Sequence, residues 1–163
     1  MRVFLTGATG FIGSRIVGEL IGAGHQVVGV ARSDAGLQAL QEAGAEPFRG
    51  TLEDPAGLAR GAADTDAVIH TAFDHDFSHF VENCEKDRRV IEAIGAALAG
   101  SDRPFIITSG TGMGNAGPGQ PAREDIEAWD NPHPRAASEK GGLRRRQKAP
   151  LSPSCACRRC MIR

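Results

Sequence analysis

Residues 2–13 read RVFLTGATGFIG, and this stretch decides the fold. The apolar run that opens it predicts a short buried strand, which ends directly in a turn containing three glycines. Apolar residues then recur at helical spacing over residues 11–22. A strand, a glycine-rich turn and a helix in immediate succession form the first half of a β-α-β unit.

Strand and helix alternate five times along the first two thirds of the chain. The predicted strands cover residues 2–6, 26–31, 46–48, 67–71 and 104–109, and the predicted helices cover 11–22, 35–43, 55–62 and 77–99. This alternation predicts an α/β fold, a Rossmann-like doubly wound parallel sheet of about five strands in the order 3-2-1-4-5. Residues 110–134, rich in Gly, Pro and Asn, predict a long loop beyond the fifth strand, close to the ligand.

Each glycine of the turn has its own physical reason. Gly7 permits the tight turn, Gly10 allows a pyrophosphate to approach the backbone, and Gly13 allows the helix to pack closely on the sheet. The first turn of the helix directs unpaired N–H groups and a partial positive charge at the phosphates. The alternative is a turn that serves packing alone, but the strand-turn-helix context favours phosphate binding.

Three segments are similar to the extended and atypical branches of the short-chain dehydrogenase/reductase superfamily, which include the NAD(P)-dependent epimerase/dehydratase group. They are TGATGFIG at 6–13, DAVIHTA at 66–72 and FIITS at 105–109, and the similarity covers about residues 1–140. HTAF at 70–73 and RAASE at 135–139 are similar to an atypical subgroup. The resemblance implies dinucleotide contacts from Gly7, Thr9, Gly10, Phe11, Ile12, Gly13, Leu52, Thr71, Ala72 and Phe73.

The end of the second strand indicates which dinucleotide binds. An acidic residue there favours NAD, and an arginine accommodates the 2′-phosphate of NADP. Ala31 stands where the acidic residue is expected and Arg32 follows it, so NADP is favoured and NAD remains possible. The alternative for Arg32 is a solvated surface charge. Asp34 is interpreted as a helix cap, a role that Ser33 can also take.

The catalytic residues that the resemblance implies are incomplete. Family members carry a Ser or Thr and a Y-x-x-x-K pair, whereas this chain contains no tyrosine. Aligning Ser138 with the family motif puts Arg135 at the tyrosine position and Glu139 at the lysine position, with Lys140 one residue too late. Arginine cannot act as a general acid near neutral pH. The usual mechanism is therefore not available.

The remaining catalytic candidates are Ser109 and Thr111, whose hydroxyls are predicted to bond a substrate carbonyl; ordinary turn chemistry is the alternative. His133 is a weaker candidate because a lone loop histidine is usually solvated. His70 lies inside the fourth predicted strand and is interpreted as structural. The Asp and His residues at 74–79 have a metal-like composition, but the resemblance implies no metal.

The last 23 residues differ from the rest of the chain. All 20 acidic residues precede residue 141, whereas the segment 141–163 holds seven Lys or Arg and three of the four cysteines. Three cysteines do not complete a structural zinc site, which needs four ligands. The domain is therefore assigned to residues 1–140, and the basic, Cys-rich tail is predicted to be disordered or read out of frame. An alternative frame over 151–162 can resemble the sixth strand and V-R-L-P-P loop of the family.

These observations predict a cytoplasmic NAD(P)-binding domain that lacks a C-terminal substrate region. The length of 163 residues fits one domain, and no apolar run approaches the length of a membrane helix. The resemblance implies that the intact parent transfers a hydride to or from a carbonyl, a carbinol or a nucleotide-sugar carbon, acts on a small molecule and can form a homodimer. The alternatives are a non-catalytic NADP-binding module, an inactive remnant, and a nucleic-acid binder, which only the basic tail supports.

Overall fold

The computed structural model describes residues 1–110, 119–121, 131–148 and 161–162, with side chains described up to residue 142. The strands in this part of the chain are β1 Arg2–Thr6, β2 Gln26–Ala31, β3 Glu46–Arg49, β4 Ala67–His70, β5 Phe105–Thr108 and β6 Met161–Ile162. The helices are α1 Phe11–Gly22, α2 Asp34–Glu42, α3 Pro55–Ala63, α4 Phe80–Ala97 and α5 Ala136–Lys148, and a 3₁₀ turn, Phe77–His79, precedes α4.

The strands form one parallel sheet in the order β3-β2-β1-β4-β5-β6. The predicted order 3-2-1-4-5 is therefore confirmed, and the two-residue strand β6 adds to it by pairing Met161 with Ile107. Because every strand is parallel, all carboxyl ends lie along the same edge of the sheet. The chain reverses its direction across the sheet between β1 and β4, and in this fold class ligands bind at such a switch point.

The two faces of the sheet bury separate apolar clusters. Phe4 and Leu5 follow one another in β1 and are both fully buried, since successive side chains of a strand point to opposite faces. The cluster around Phe4 packs α3 and α4 onto one face through Val28, Val30, Leu58, Ala62, Val68, Val90, Ile94 and Leu98. The cluster around Leu5 packs α1 and α2 onto the other face through Ala8, Val17, Val27, Ala31, Leu40 and Ala45.

The first of these clusters requires a glycine in α3. The rings of Phe4 and Phe48 meet edge to face with their centroids 5.3 Å apart. A Cβ on Gly61 would lie 2.6 Å from the Phe4 ring and 2.7 Å from the Phe48 ring. Gly61 therefore allows α3 to approach the sheet to a distance that any other residue would increase.

The predicted elements 2–6, 11–22 and 26–31 match the observed bounds, and the ends of the other six differ from the observed ones by at most three residues. The predicted helix 77–99 differs in helix type at its start, where residues 77–79 form the 3₁₀ turn. There the Asp76 side chain accepts a hydrogen bond from the backbone N–H of Ser78 at 3.0 Å. The domain boundary drawn at residue 140 falls inside α5. The predicted loop 110–134 and the tail cysteines lie largely or wholly outside the described residues. No helix in the described part of the chain has both the length and the apolarity needed to cross a membrane.

Candidate functional site

The glycine turn between β1 and α1 leaves no room for side chains. Gly7 has φ 69°, in the left-handed region that favours glycine, and a Cβ there would lie 2.8 Å from both Ala72 N and Thr71 Oγ1. A Cβ on Gly13 would meet the backbone of the turn itself, at 2.7 Å from Gly7 C and 2.9 Å from Ala8 Cα. The turn therefore packs directly against the end of β4 on one side and against its own helix on the other.

The N-terminus of α1 is open toward the carboxyl edge of the sheet. Gly10 is its N-cap, with extended backbone and no side chain to satisfy the first N–H groups. The next two side chains are exposed although they are apolar, Phe11 by 88% and Ile12 by 59%. Unpaired backbone donors, the positive end of the helix and a cradle that a Cβ would fill together fit the pyrophosphate of a dinucleotide.

A pair of arginines lies at the carboxyl ends of β2 and β3. Arg32 follows β2 and is exposed, while Arg49 is the last residue of β3 and donates from Nη1 to the Arg32 carbonyl at 3.2 Å. Arg49 also forms a salt bridge with Asp34, the first residue of α2. The N-cap of α2 is Ser33, whose Oγ accepts from Gly36 N at 3.2 Å. Asp34 is therefore the partner of Arg49 and not the cap.

The end of β4 is tied to β1 by hydrogen bonds to one residue. Thr71 Oγ1 donates to the Thr6 carbonyl at 2.8 Å, and Ala72 N donates to Thr6 Oγ1 at 3.3 Å. Phe73 follows, and its ring packs edge to face against His75 and Phe80. Of the predicted contact residues, Thr71 and Ala72 thus border the glycine turn. Leu52 is partly buried against the cluster around Phe4.

A buried hydrogen-bonded chain extends from Thr6 into the interior. Thr6 Oγ1 lies 2.6 Å from His70 Nδ1, and His70 Nε2 lies 2.9 Å from Asp87 Oδ1. Both His70 and Asp87 are at most 1% exposed. Both ring nitrogens of His70 therefore have a buried partner, and Nε2 donates its proton to the Asp87 carboxylate. His70 is therefore structural, as the sequence indicates: it connects β1, β4 and α4.

The last member of this series of hydrogen bonds is Arg135, the residue aligned with the tyrosine of the family motif. Its Nη1 donates to Asp87 Oδ2 at 2.5 Å, and its Nη2 donates to the Thr108 carbonyl at 3.3 Å. Its guanidinium also lies 4.1 Å from the centroid of the Phe73 ring, at cation–π distance. Burial by itself would raise the pKa of Asp87, but the hydrogen bond from His70 and the charges of His70 and Arg135 outweigh it and lower that pKa.

Ser109 and Glu139 meet where β5 ends. Ser109 Oγ donates to Glu139 Oε1, and Glu139 is 1% exposed. The second oxygen, Glu139 Oε2, is buried without a hydrogen-bond partner. Among the described residues it is the one buried side-chain nitrogen or oxygen atom that lacks a partner. Lys140, the neighbouring residue in α5, is half-buried. Thr111 lies outside the described residues.

A family model described as NAD(P)H-binding matches residues 7–141. The chain belongs to this NAD(P)H-binding family. An uncharacterized protein of Schizosaccharomyces pombe is 50% identical over 139 residues, which are 85% of this chain and 47% of that protein. The sterol-4-alpha-carboxylate 3-dehydrogenase of Dictyostelium discoideum is 41% identical over 71 residues, 44% of this chain and 22% of that enzyme.

The fold of this NAD(P)H-binding protein is also that of a solved epimerase. UDP-glucose 4-epimerase from Bifidobacterium longum, in complex with NAD⁺ and UDP, matches with a TM-score of 0.66 and 20% identity over 90% of this chain and 47% of the epimerase. This confirms the resemblance to extended short-chain dehydrogenases/reductases at the level of the fold. The chain spans about half the length of the curated relative with which it shares 50% identity.

The other histidines of the NAD(P)H-binding domain have local partners. His133 is exposed, packs edge to face on Phe80 at 5.6 Å and accepts from Arg135 N at 3.2 Å. Asp76 is bonded to Ser78 and His79, and these hydrogen bonds lower its pKa. Within the part of the chain that the structure describes, no three His, Cys, Asp or Glu residues converge on a position for a metal ion.

Sequence reasoning missed Arg49, Asp87 and the burial of Glu139. Arg49 could have been found, because it precedes Gly50 at the end of a predicted strand, next to the strand that carries Arg32. Asp87 gives no signal in the sequence, since a carboxylate within a polar helix is usually solvated. Its partners His70 and Arg135 lie 17 and 48 residues away.

Proposed function

We propose that this NAD(P)-binding domain binds NADP in preference to NAD and serves an oxidoreductase or epimerase-like protein that transfers a hydride. The observation that carries the choice of cofactor is the pair Arg32 and Arg49 at the carboxyl ends of β2 and β3. Guanidinium groups bind phosphate through two parallel hydrogen bonds, so two of them at this edge favour the 2′-phosphate over a bare ribose hydroxyl. Ala31, buried at the end of β2, supplies no carboxylate for a ribose hydroxyl, and the carboxylate near this edge, Asp34, is paired with Arg49.

The remaining contacts follow from the course of a dinucleotide over the sheet. The adenine half lies over β2 and β3, with Leu52 at its edge, and the pyrophosphate lies on the glycine turn. The nicotinamide half then falls beside the ends of β4 and β5. The proposed contact residues are Gly7, Thr9, Gly10, Phe11, Ile12 and Gly13 in the turn and Thr71, Ala72 and Phe73 after β4. We assign this function to residues 1–140, and the family match to 7–141 supports that assignment.

The reaction is proposed from relatives and from the chemistry of the cofactor. Bound nicotinamide supplies a hydride donor or acceptor. The relative in Dictyostelium discoideum is named a dehydrogenase, and the Bifidobacterium longum structure is that of an epimerase in complex with NAD⁺ and UDP. This chain covers 22% of the first and 47% of the second. The substrate is a small molecule with a carbonyl, a carbinol or a nucleotide-sugar carbon.

A non-catalytic NADP-binding module is the second candidate, and Arg135 favours it. The residue at the tyrosine position is held by Asp87 and the Thr108 carbonyl and cannot exchange a proton near neutral pH. Consumption of NADPH with any member of a carbonyl panel would identify an oxidoreductase. Tight binding of NADPH without turnover in the full-length protein would identify the module.

The experiment is a calorimetric titration of the chain with NADPH and with NADH. We expect NADPH to bind more tightly, and we expect Arg32→Ala and Arg49→Ala each to weaken NADPH binding about tenfold or more while NADH binding changes little. Arg89→Ala is the matched control, because Arg89 is an exposed arginine on α4 that donates to the backbone carbonyl of Glu85. Equal affinities for NADPH and NADH would overturn the choice of NADP, and no binding of either would overturn the proposed function.

A further inference from the structure

Lys86, in α4, joins two loops that leave the sheet from different strands. Its Nζ lies 2.6 Å from Glu53 Oε1 and 3.0 Å from Asp74 Oδ2, so one ammonium holds both carboxylates. The Lys86 side chain is 19% exposed, whereas those of Glu53 and Asp74 are 67% and 35% exposed. We call these three residues the ion bridge. None of them belongs to the glycine turn, to the arginine pair or to the buried hydrogen bonds around His70.

Two members of the ion bridge are firmly charged and fixed in place. The hydrogen bonds to Glu53 and Asp74 raise the pKa of Lys86, and the hydrogen bond from Lys86 lowers the pKa of Asp74. Asp74 is also held from its other side, because its Oδ1 accepts from the backbone N–H of Asp76 at 3.2 Å. The bridge therefore ties α4 to a loop that is itself ordered by hydrogen bonds.

The ion bridge brings together loops whose strands are not neighbours. Glu53 follows β3 and Asp74 follows β4, and the strands β2 and β1 lie between them in the sheet. Neighbouring strands are about 4.8 Å apart, so the ends of β3 and β4 are separated by about 14 Å. The two loops nevertheless converge on one ammonium, on the α4 side of the positions where β2 and β1 end. Those two strands lead to Arg32 and to the glycine turn.

Each carboxylate of the ion bridge directly follows a proposed cofactor contact in the sequence. Leu52 precedes Glu53 and packs against the interior of the domain. Phe73 precedes Asp74 and follows the residue that touches the glycine turn. The separation of these two loops therefore sets the width of the cleft on the side where the adenine half of the dinucleotide is proposed to lie.

We propose that Lys86 is a positioning residue for the adenine half of the dinucleotide, an inference that rests on the proposed function. By holding Glu53 and Asp74 on one ammonium, Lys86 keeps the two loops at the separation that the adenine half requires. Without the ammonium, the two carboxylates repel each other and the loops move apart. Lys86 itself does not contact the cofactor, and it acts through the residues that precede the two carboxylates.

A simple effect of charge predicts the opposite result for one variant. NADP is an anion, so removal of a nearby carboxylate should strengthen its binding if only the charge mattered. If Glu53 instead positions a loop, Glu53→Ala should weaken binding although it removes a negative charge. The Glu53 side chain is two-thirds exposed, so this variant breaks one arm of the bridge and leaves the interior of the domain intact.

The test measures by calorimetry the affinity for NADP and for adenosine 2′,5′-bisphosphate, which contains only the adenine half. We expect Glu53→Ala and Lys86→Met each to weaken binding of both probes about fivefold or more, as for loss of a partly exposed ion pair at the upper end of its range. Glu82→Ala and Arg89→Met are the matched controls, because each removes an exposed charge of the same sign from α4. Both controls should leave the two affinities unchanged.

Thermal unfolding separates positioning from a role in the fold. Partly exposed ion pairs contribute little to stability, so the Tm of each variant without ligand should equal that of its matched control. The double variant Glu53→Ala/Lys86→Met should weaken binding by less than the two single effects combined, because both changes break the same contact.

Three results would overturn the proposal. Equal or tighter binding of both probes by Glu53→Ala would leave only a charge effect of Lys86. A loss for NADP with the bisphosphate unchanged would place the effect outside the adenine half. A lowered Tm together with weaker binding of both probes would mean that the ion bridge serves the fold. Failure of the proposed function is distinguishable, because wild-type chain would then bind neither probe.

Discussion

Replacing Gly13 with alanine should damage the fold and the cofactor site together. The new Cβ would lie 2.7 Å from Gly7 C and 2.9 Å from Ala8 Cα, and closer still to the Gly7 carbonyl oxygen. Carbon atoms in ordinary contact are about 3.5–4 Å apart, so the first turn of α1 must move away from the glycine turn by about 1 Å. All three contacts are with backbone, so no side chain can rotate to relieve them. Over-packing costs about 1–3 kcal/mol, and a backbone clash belongs at the upper end of that range.

Gly18 supplies a matched control on the same helix. A Cβ on Gly18 would meet nothing within 4 Å, so Gly18→Ala should stabilise the protein by about 0.5–1 kcal/mol through helix propensity alone. Urea unfolding followed by circular dichroism should therefore separate the two variants by at least about 2 kcal/mol. Calorimetry should show weaker NADP binding for Gly13→Ala and unchanged binding for Gly18→Ala, since only the first displaces the N–H groups at the start of α1. If Gly13→Ala were as stable as Gly18→Ala, the close approach of helix and turn would be refuted.

Two further changes test the interior. Gly61→Ala puts a Cβ against the rings of Phe4 and Phe48 and should lower the free energy of unfolding by about 1–3 kcal/mol in urea titrations; an unchanged value would show that the rings give way. Asp87 has a lowered pKa in the folded protein, so it stabilises the fold above its unfolded pKa of about 3.9, and that stability is lost as the pH falls through the lower folded value. Asp87→Asn should cost about 3–5 kcal/mol near pH 7, because Arg135 then lacks its buried partner, and should make stability less sensitive to acid; equal acid sensitivity in wild type and variant would contradict this.

Most of the fold could be predicted from the sequence because the residues that start and end each helix or strand lie next to that element along the chain. Short apolar runs, glycines at helix ends and the caps Ser33 and Asp54 mark where each element begins and ends within a few residues. Parallel order follows from the alternation itself, since each helix must cross over between strands with the same hand. The strand Met161–Ile162 could not be predicted, because two apolar residues after a basic segment carry no periodicity. Their strand conformation exists only through pairing with β5.

The functional site likewise has a part that depends on neighbouring residues, which the sequence predicts, and a part that depends on distant residues, which it does not. The glycine turn is contiguous in sequence, so its geometry follows from local constraints on φ and on close approach, and Arg32 follows from its place after a strand. The contacts that the sequence did not reveal join distant segments: Thr6 meets His70 across 64 residues, and Arg135 meets Asp87 across 48. A side chain whose role depends on such a meeting looks like any other charged residue in the sequence.

The buried hydrogen bonds that hold Arg135 limit the acid–base chemistry that is available to the domain. Asp87 holds the guanidinium from one side, and the ring of Phe73 lies against its face. A residue fixed in this way fills the space beside Phe73 with a permanent positive charge, where the family motif has a group that exchanges protons. We predict that any proton transfer uses another group at the same edge, and among the described residues the Ser109 hydroxyl, which donates to the Glu139 carboxylate, is one candidate. If the intact protein is an oxidoreductase, its turnover should therefore survive Arg135→Lys better than Glu139→Gln, whereas a binding module would show no turnover to lose.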